Sequence, residues 1–194
     1  RMKKLIVFLC ATLLVFSIAG QAGASPKYVY DGGLGTWQDA DKTNFNTRGG
    51  PDGLMCWAAS ASNALAWAGW PGLQSDGTTL ISSADNIFSY FVDSWPNNTG
   101  NVMYGYDWWF DNKHSDPNDT PTQNAGFYAS YSLTPPPFPG IYGGYWGNNP
   151  PNEGNISTYI DDDRAIQISI ELTAFGGYSH SVTVWGMDPD LDIL

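Results

Sequence analysis

Cys56 and His180 are the two side chains whose chemistry could make a covalent catalyst. A thiol attacks only as the thiolate, and it needs an imidazole nearby to take up and return protons. Cys56 lies in DGLMCWAASASNALAW, where the Ala-rich run predicts a helix and places the cysteine within its first turn. Unpaired backbone N–H groups and the macrodipole favour negative charge at such a position. His180 opens SHSVTVWG and shares a strand face with Val182 and Val184, a rigid platform from which a ring could face a cleft. The other histidine, His114, lies in the polar stretch DNKHSDPND and reads as solvated surface. Plain structural roles exist for both candidates: a small buried hydrophobe for the cysteine, a satisfied core residue for the histidine.

The start of the chain narrows the choice of thiol. Residues 1–24 read as a signal peptide: Lys3 and Lys4 form a basic region, Leu5 to Ala19 is nearly unbroken apolar sequence, and Ala22-Gly23-Ala24 is a small-residue cleavage site. A spanning helix needs about 20 apolar residues; this stretch is shorter, so cleavage near Ala24 and export to the cell envelope or the medium are expected, without a retained anchor. Export removes Cys10, leaving Cys56 as the one thiol and no partner for an internal disulfide. It also removes Arg1, Lys3 and Lys4, leaving five basic against 19 acidic residues, a net charge of −14 where the full chain has −11. Phosphate backbones are bound by clusters of Lys and Arg, and none is present, which argues against nucleic acid and against an anionic membrane surface as partners.

The elements that must position the pair are helical first and stranded later. Leu54 to Trp67 is the first predicted helix, with Asp52 as its N-cap and Met55, Ala59, Ser62 and Ala66 as a packing stripe. A second runs from Ala84 to Trp95, capped by Ser83, and a third, strongly aromatic, from Val102 to Asp111. Asn112 to Asn152 reads as loop, with Pro135-Pro136-Pro137 and a Gly/Tyr/Trp stretch. Asn155 is placed as the cap of a short helix in which Ile156, Tyr159 and Ile160 share a face. Ile166, Ile168, Ile170 and Leu172 then alternate with polar residues, the period of a half-buried strand, and a turn at Gly176-Gly177 leads to the run His180 to Trp185. An antiparallel hairpin and an α+β architecture follow. With 194 residues, 42% of them hydrophobic, one globular domain over residues 25–194 is expected.

The segments TWQDADKTNFN, DGLMCWAASASNALAW, NIFSYF with the later YGYDWWFDN, and SHSVTVWGMDPD, taken in order, resemble successive blocks of the immunoglobulin-degrading cysteine endopeptidase (IdeS/Mac) family, from about Trp37 to Asp190. The resemblance implies a papain-like fold, with the nucleophile Cys56 at a helix start and an antiparallel sheet carrying the base His180. It further implies that Lys42, in DKTNFN, helps to stabilise the oxyanion, a role suited to the charge that develops in acyl transfer; a surface lysine is the plain alternative. The backbone N–H of Cys56 is the other natural oxyanion donor. Members of the family orient the histidine with an aspartate on the strand after the W-G turn. Here Asp188, Asp190 and Asp192 fall in that turn and the sequence stops at Leu194, so a domain truncated at its C-terminus is expected.

The function implied is a secreted endopeptidase that forms an acyl-enzyme on Cys56. It would use no metal or organic cofactor, act as a monomer on a host or other extracellular protein, and have no membrane association after signal cleavage. The competing reading is a non-catalytic binding protein or degenerate peptidase of the same fold. Two weaker signals remain. Asp188 to Asp192 resembles the opening of a calcium loop but has Ile193 where glycine is required, and Asn97, Asn118 and Asn155 open N-x-Ser/Thr acceptors.

Overall fold

The computed structural model describes residues 27–28, 37–42, 50–70, 72–73, 80–81, 83–95, 97–111, 126–134, 153–172 and 178–187. Residues 1–24, His114, the Gly176-Gly177 turn and Asp188 to Asp192 lie outside them. Among the described residues the elements are β1 (Lys27–Tyr28), α1 (Cys56–Trp67), β2 (Gly72–Leu73), β3 (Leu80–Ile81), α2 (Ala84–Ser94), α3 (Val102–Asp111), α4 (Phe127–Ser130), α5 (Glu153–Asp161), β4 (Ile166–Leu172), β5 (Tyr178–Val184) and β6 (Gly186–Met187). The architecture is α+β, with antiparallel pairs β1–β6, β2–β3 and β4–β5. No helix among the described residues is long and apolar enough to cross a membrane.

Helix α1 is the element around which the others pack. Trp57, Ala58 and every residue from Ser60 to Ala66 are buried, so the expected narrow stripe is in fact most of the circumference. A helix apolar on nearly all sides belongs in an interior, and alanines let neighbouring backbones approach it. The buried hydroxyl of Ser62 is satisfied within the helix by donating to Ala58 O at 2.7 Å. The helix ends at Gly69, whose φ of 79° is left-handed, with Gly69 N–H on Ala66 O and Trp70 N–H on Leu65 O, the paired closure that satisfies the last carbonyls. The same closure ends α4 at Ser132 (φ 53°) and α5 at Asp163 (φ 52°).

Two apolar clusters grip α1. The larger combines α1, α2, α3 and α4 through Phe91, Trp108, Trp109 and Phe127, the last two stacked at 4.3 Å and 7°. Burial raises the pKa of the Tyr90 and Tyr128 phenols bordering this cluster and keeps both neutral. The smaller cluster joins Ile156 and Ile160 of α5, Met187 of β6 and Ile166 and Ile168 of β4 to Trp67 at the far end of α1.

Several boundaries differ from the sequence expectation. Asp52 is not the N-cap of α1: the helix starts at Cys56, Met55 occupies the cap position without a side-chain bond, and Asp52 is buried in the preceding turn. Asn155 is not a cap either, since α5 begins at Glu153 and contains it. Ser83 does stand at the N-cap of α2, but its side chain makes no capping bond; Gln38 Oε1, from a distant segment, takes the Ala84 N–H at 3.4 Å. Within the expected loop, Phe127–Ser130 forms a short helix.

Trp57 sets a steric condition on α3. A Cβ built on Gly105 would lie 2.8 Å from the indole Cζ3, and one on Gly100 would lie 2.5 Å from Cε2. Gly105→Ala should thus destabilise the fold by about 1–3 kcal/mol, reversing the ~0.5–1 kcal/mol that replacing a mid-helix glycine ordinarily returns. Urea denaturation gives the sign; a stabilised variant would show that the indole has room to move.

Candidate active site

The site begins with a helix end left open. The first intrahelical acceptor at the start of α1 is Met55 O, which takes Ala59 N–H at 3.1 Å, and the first turn contains no acidic residue. The N–H groups of Cys56, Trp57 and Ala58 therefore have no intrahelical acceptor, and Asp52 is buried in the turn just before them. Cys56 occupies the first helical position and is half-buried.

The chain leading into Cys56 is held by Asn97. The Asn97 backbone N–H donates to Pro51 O at 2.8 Å, and its side-chain Oδ1 accepts Leu54 N–H at 2.9 Å. Asn97 has φ 51°, a left-handed conformation that asparagine tolerates better than most residues. On the other side of the helix start, Trp57 Nε1 donates to Asn98 O at 3.0 Å, and its ring meets Phe91 and Trp95 edge-on, centroids 5.5 and 6.1 Å away.

Lys42 is brought to the same turn. Its Nζ donates to Gly53 O at 3.2 Å, three residues before Cys56. The segment that carries it is fixed at three further points: Gln38 on Ala84, Asp41 N–H on Asp85 Oδ1 at 2.9 Å, and Ala40 N–H on Asn63 Oδ1 at 2.7 Å.

Strand β5 closes the site from the C-terminal half. Ser181 N–H donates to Cys56 Sγ at 3.4 Å, so the thiol lies against the residue that follows His180. Two turns of α1 repeat the contact: Ser60 Oγ lies 3.1 Å from Thr183 Oγ1, which also donates to Ser60 O at 3.3 Å, and Asn63 Nδ2 donates to Thr183 Oγ1 at 3.4 Å. Cys56, Ser60 and Asn63 stand at i, i+4 and i+7, one helix face, and Ser181 and Thr183 one strand face. His180 is on the opposite face, exposed, and pairs across the hairpin with the exposed Ile170. No hydrogen bond joins the His180 ring to the thiol or, among the described residues, to a carboxylate.

The structure thus gathers Cys56, Lys42 and the backbone beside His180, while the imidazole itself is not hydrogen-bonded to the thiol. A cleft of about 270 Å³ is lined by Asp41, Asp52, Asp85, Asp93, Phe88 and Val92 among others, and its lining includes none of Lys42, Cys56 and His180. Among the described residues no group of three or more His, Cys, Asp or Glu could hold a metal ion. Asn63 and Ser60 were not singled out from sequence, and Asn97 was noted there only as a glycosylation acceptor. The first two carried a readable signal, polar residues at helical spacing from Cys56 in an otherwise Ala-rich run.

If Asn97 holds the turn as described, Asn97→Ala should cost about 2–4 kcal/mol, combining an unpaired Leu54 N–H with a left-handed backbone. Asn97→Gly, which accepts that φ, should cost less, about 1–3 kcal/mol. Equal losses in denaturant melts would remove the backbone from the explanation.

Comparison with family models, curated proteins and solved structures finds no match to this chain.

Proposed function

We propose that this chain is an exported papain-like cysteine endopeptidase, with Cys56 as nucleophile, His180 as acid and base, and Lys42 assisting the oxyanion. The observation that carries this reading is the bond from Ser181 N–H to Cys56 Sγ: it docks the open N-terminus of the cysteine helix on the strand whose preceding residue is His180. The same bond fixes the sulfur at the helix start, beside the strand. The N–H of Cys56, which has no hydrogen-bond acceptor among the described residues, and the ammonium of Lys42, tethered three residues upstream, are donors of the kind an oxyanion needs. Apo geometry alone does not rule out a base whose catalytic hydrogen bond is unmade, so His180 stays the candidate. The resemblance of the blocks around Lys42, Cys56 and His180 to the immunoglobulin-degrading cysteine endopeptidases points the same way. The substrate is a protein outside the producing cell.

A second reading is favoured by one specific observation. His180 is exposed and has no carboxylate partner among the described residues, as a degenerate, non-catalytic relative would. Two measurements separate the readings. At about pH 6, where an ordinary thiol with a pKa of about 8.5 is almost wholly protonated, iodoacetamide should alkylate Cys56 faster than a free thiol peptide. Hydrolysis of an unfolded protein substrate should vanish in Cys56→Ala, fall about 10²–10⁴-fold in His180→Ala and about 10²-fold in Lys42→Met. Alkylation no faster than the peptide, with no Cys56-dependent cleavage, would establish the non-catalytic reading.

A further inference from the structure

We propose that Asn63 is a positioning residue for Lys42, setting the ammonium relative to Cys56 by holding the lysine's own segment to the cysteine helix. The inference rests on the peptidase reading above. Gln38, Ala40 and Asp41 each take part in a hydrogen bond from this segment to the helices, and the three bonds are unequal. Asp41 N–H on Asp85 is exposed to water, and Ala84 N–H on Gln38 is long at 3.4 Å. Ala40 N–H on Asn63 Oδ1 is both the shortest, at 2.7 Å, and buried. A bond shielded from water is electrostatically stronger than an exposed one, so Asn63 dominates the attachment.

The Asn63 amide is held at both ends. Its oxygen accepts from Ala40 and its nitrogen donates to Thr183 Oγ1, so exchanging the two would lose both bonds. Asn63 also lies on the helix face of Cys56, seven residues on, which at about 1.5 Å per residue is roughly 10 Å along a rigid rod. From Ala40 the chain returns toward the helix start by two residues, about 7 Å when extended. The Lys42 side chain covers the rest and ends on Gly53 O. The length of α1 between Asn63 and Cys56 is thus the ruler against which the ammonium is placed.

Alkylation of Cys56 by anionic iodoacetate and neutral iodoacetamide tests this without a substrate, because the ratio of the two rates reports positive potential at the sulfur and cancels the thiolate fraction. In the otherwise unaltered chain, Lys42→Met should lower the ratio about three- to tenfold. In an Asn63→Ala background of native circular dichroism, Lys42→Met should change it by less than about twofold. In Asn63→Asp, which keeps an acceptor for Ala40, the full effect of Lys42→Met should return, a rescue that a purely stabilising role would not produce. An undiminished Lys42 effect in folded Asn63→Ala overturns the proposal and leaves the peptidase reading intact. No Lys42 effect in the unaltered chain overturns the Lys42 assignment and this proposal with it. Should Asn63→Ala not fold, Asn63→Asp decides, since loss of the Lys42 effect there overturns the inference.

Discussion

The start of helix α1 is held by Trp57, and the rest of the site depends on that anchor. An N-terminus without a capping side chain costs about 1 kcal/mol, whereas truncating a buried tryptophan costs about 3–5 kcal/mol. The aromatic term wins, so the helix can begin at Cys56 without a capping bond from the Met55 side chain. Serine or aspartate at the cap would accept from the N–H of Trp57 or Ala58 and add to this anchor. The indole is fixed on all sides: by the Asn98 carbonyl, by Phe91 and Trp95, and by two glycines whose missing side chains make room for its faces.

Two kinds of packing meet along α1. The side facing α2 and α3 is aromatic and apolar and supplies burial; the side facing β5 is a row of small polar groups and supplies direction. The first fixes how deep the helix lies, and the second fixes which strand residues stand beside it. Near the thiol the charges are mixed, with Asp52 buried in the turn before Cys56. The sequence carries net charge −11, yet the first turn of α1 has no acid and a lysine is tied to the turn before it.

Elements with a sustained period were legible in the sequence. Val102–Asp111 and Ile166–Leu172 have the expected bounds, and in the strand the alternation runs long enough to be unambiguous. Cys56 at a helix start and His180 on a strand were legible for the same reason. Caps were not, because they are tertiary: α2 is capped by Gln38, forty-six residues from Ala84, and α1 by no side chain. Lys27–Tyr28 and Gly186–Met187 pair as strands of two residues, too short to show a period. Lys42 was reached only through family resemblance; nothing in its local spacing announces a lysine bent back on Gly53.

The polar seam between α1 and β5 has a consequence for folding fidelity. An apolar helix–sheet contact tolerates sliding, because one methyl serves nearly as well as another. If β5 slipped by one residue, its faces would exchange: Val182 or Val184 would replace Thr183 against Ser60 and Asn63, and each would lose its bond to that hydroxyl at about 1–3 kcal/mol. A slip of two residues would restore a polar face but separate Thr183 from both partners. The seam therefore works as a key and not as a bearing, admitting the hairpin in one register and rejecting its near misses during assembly.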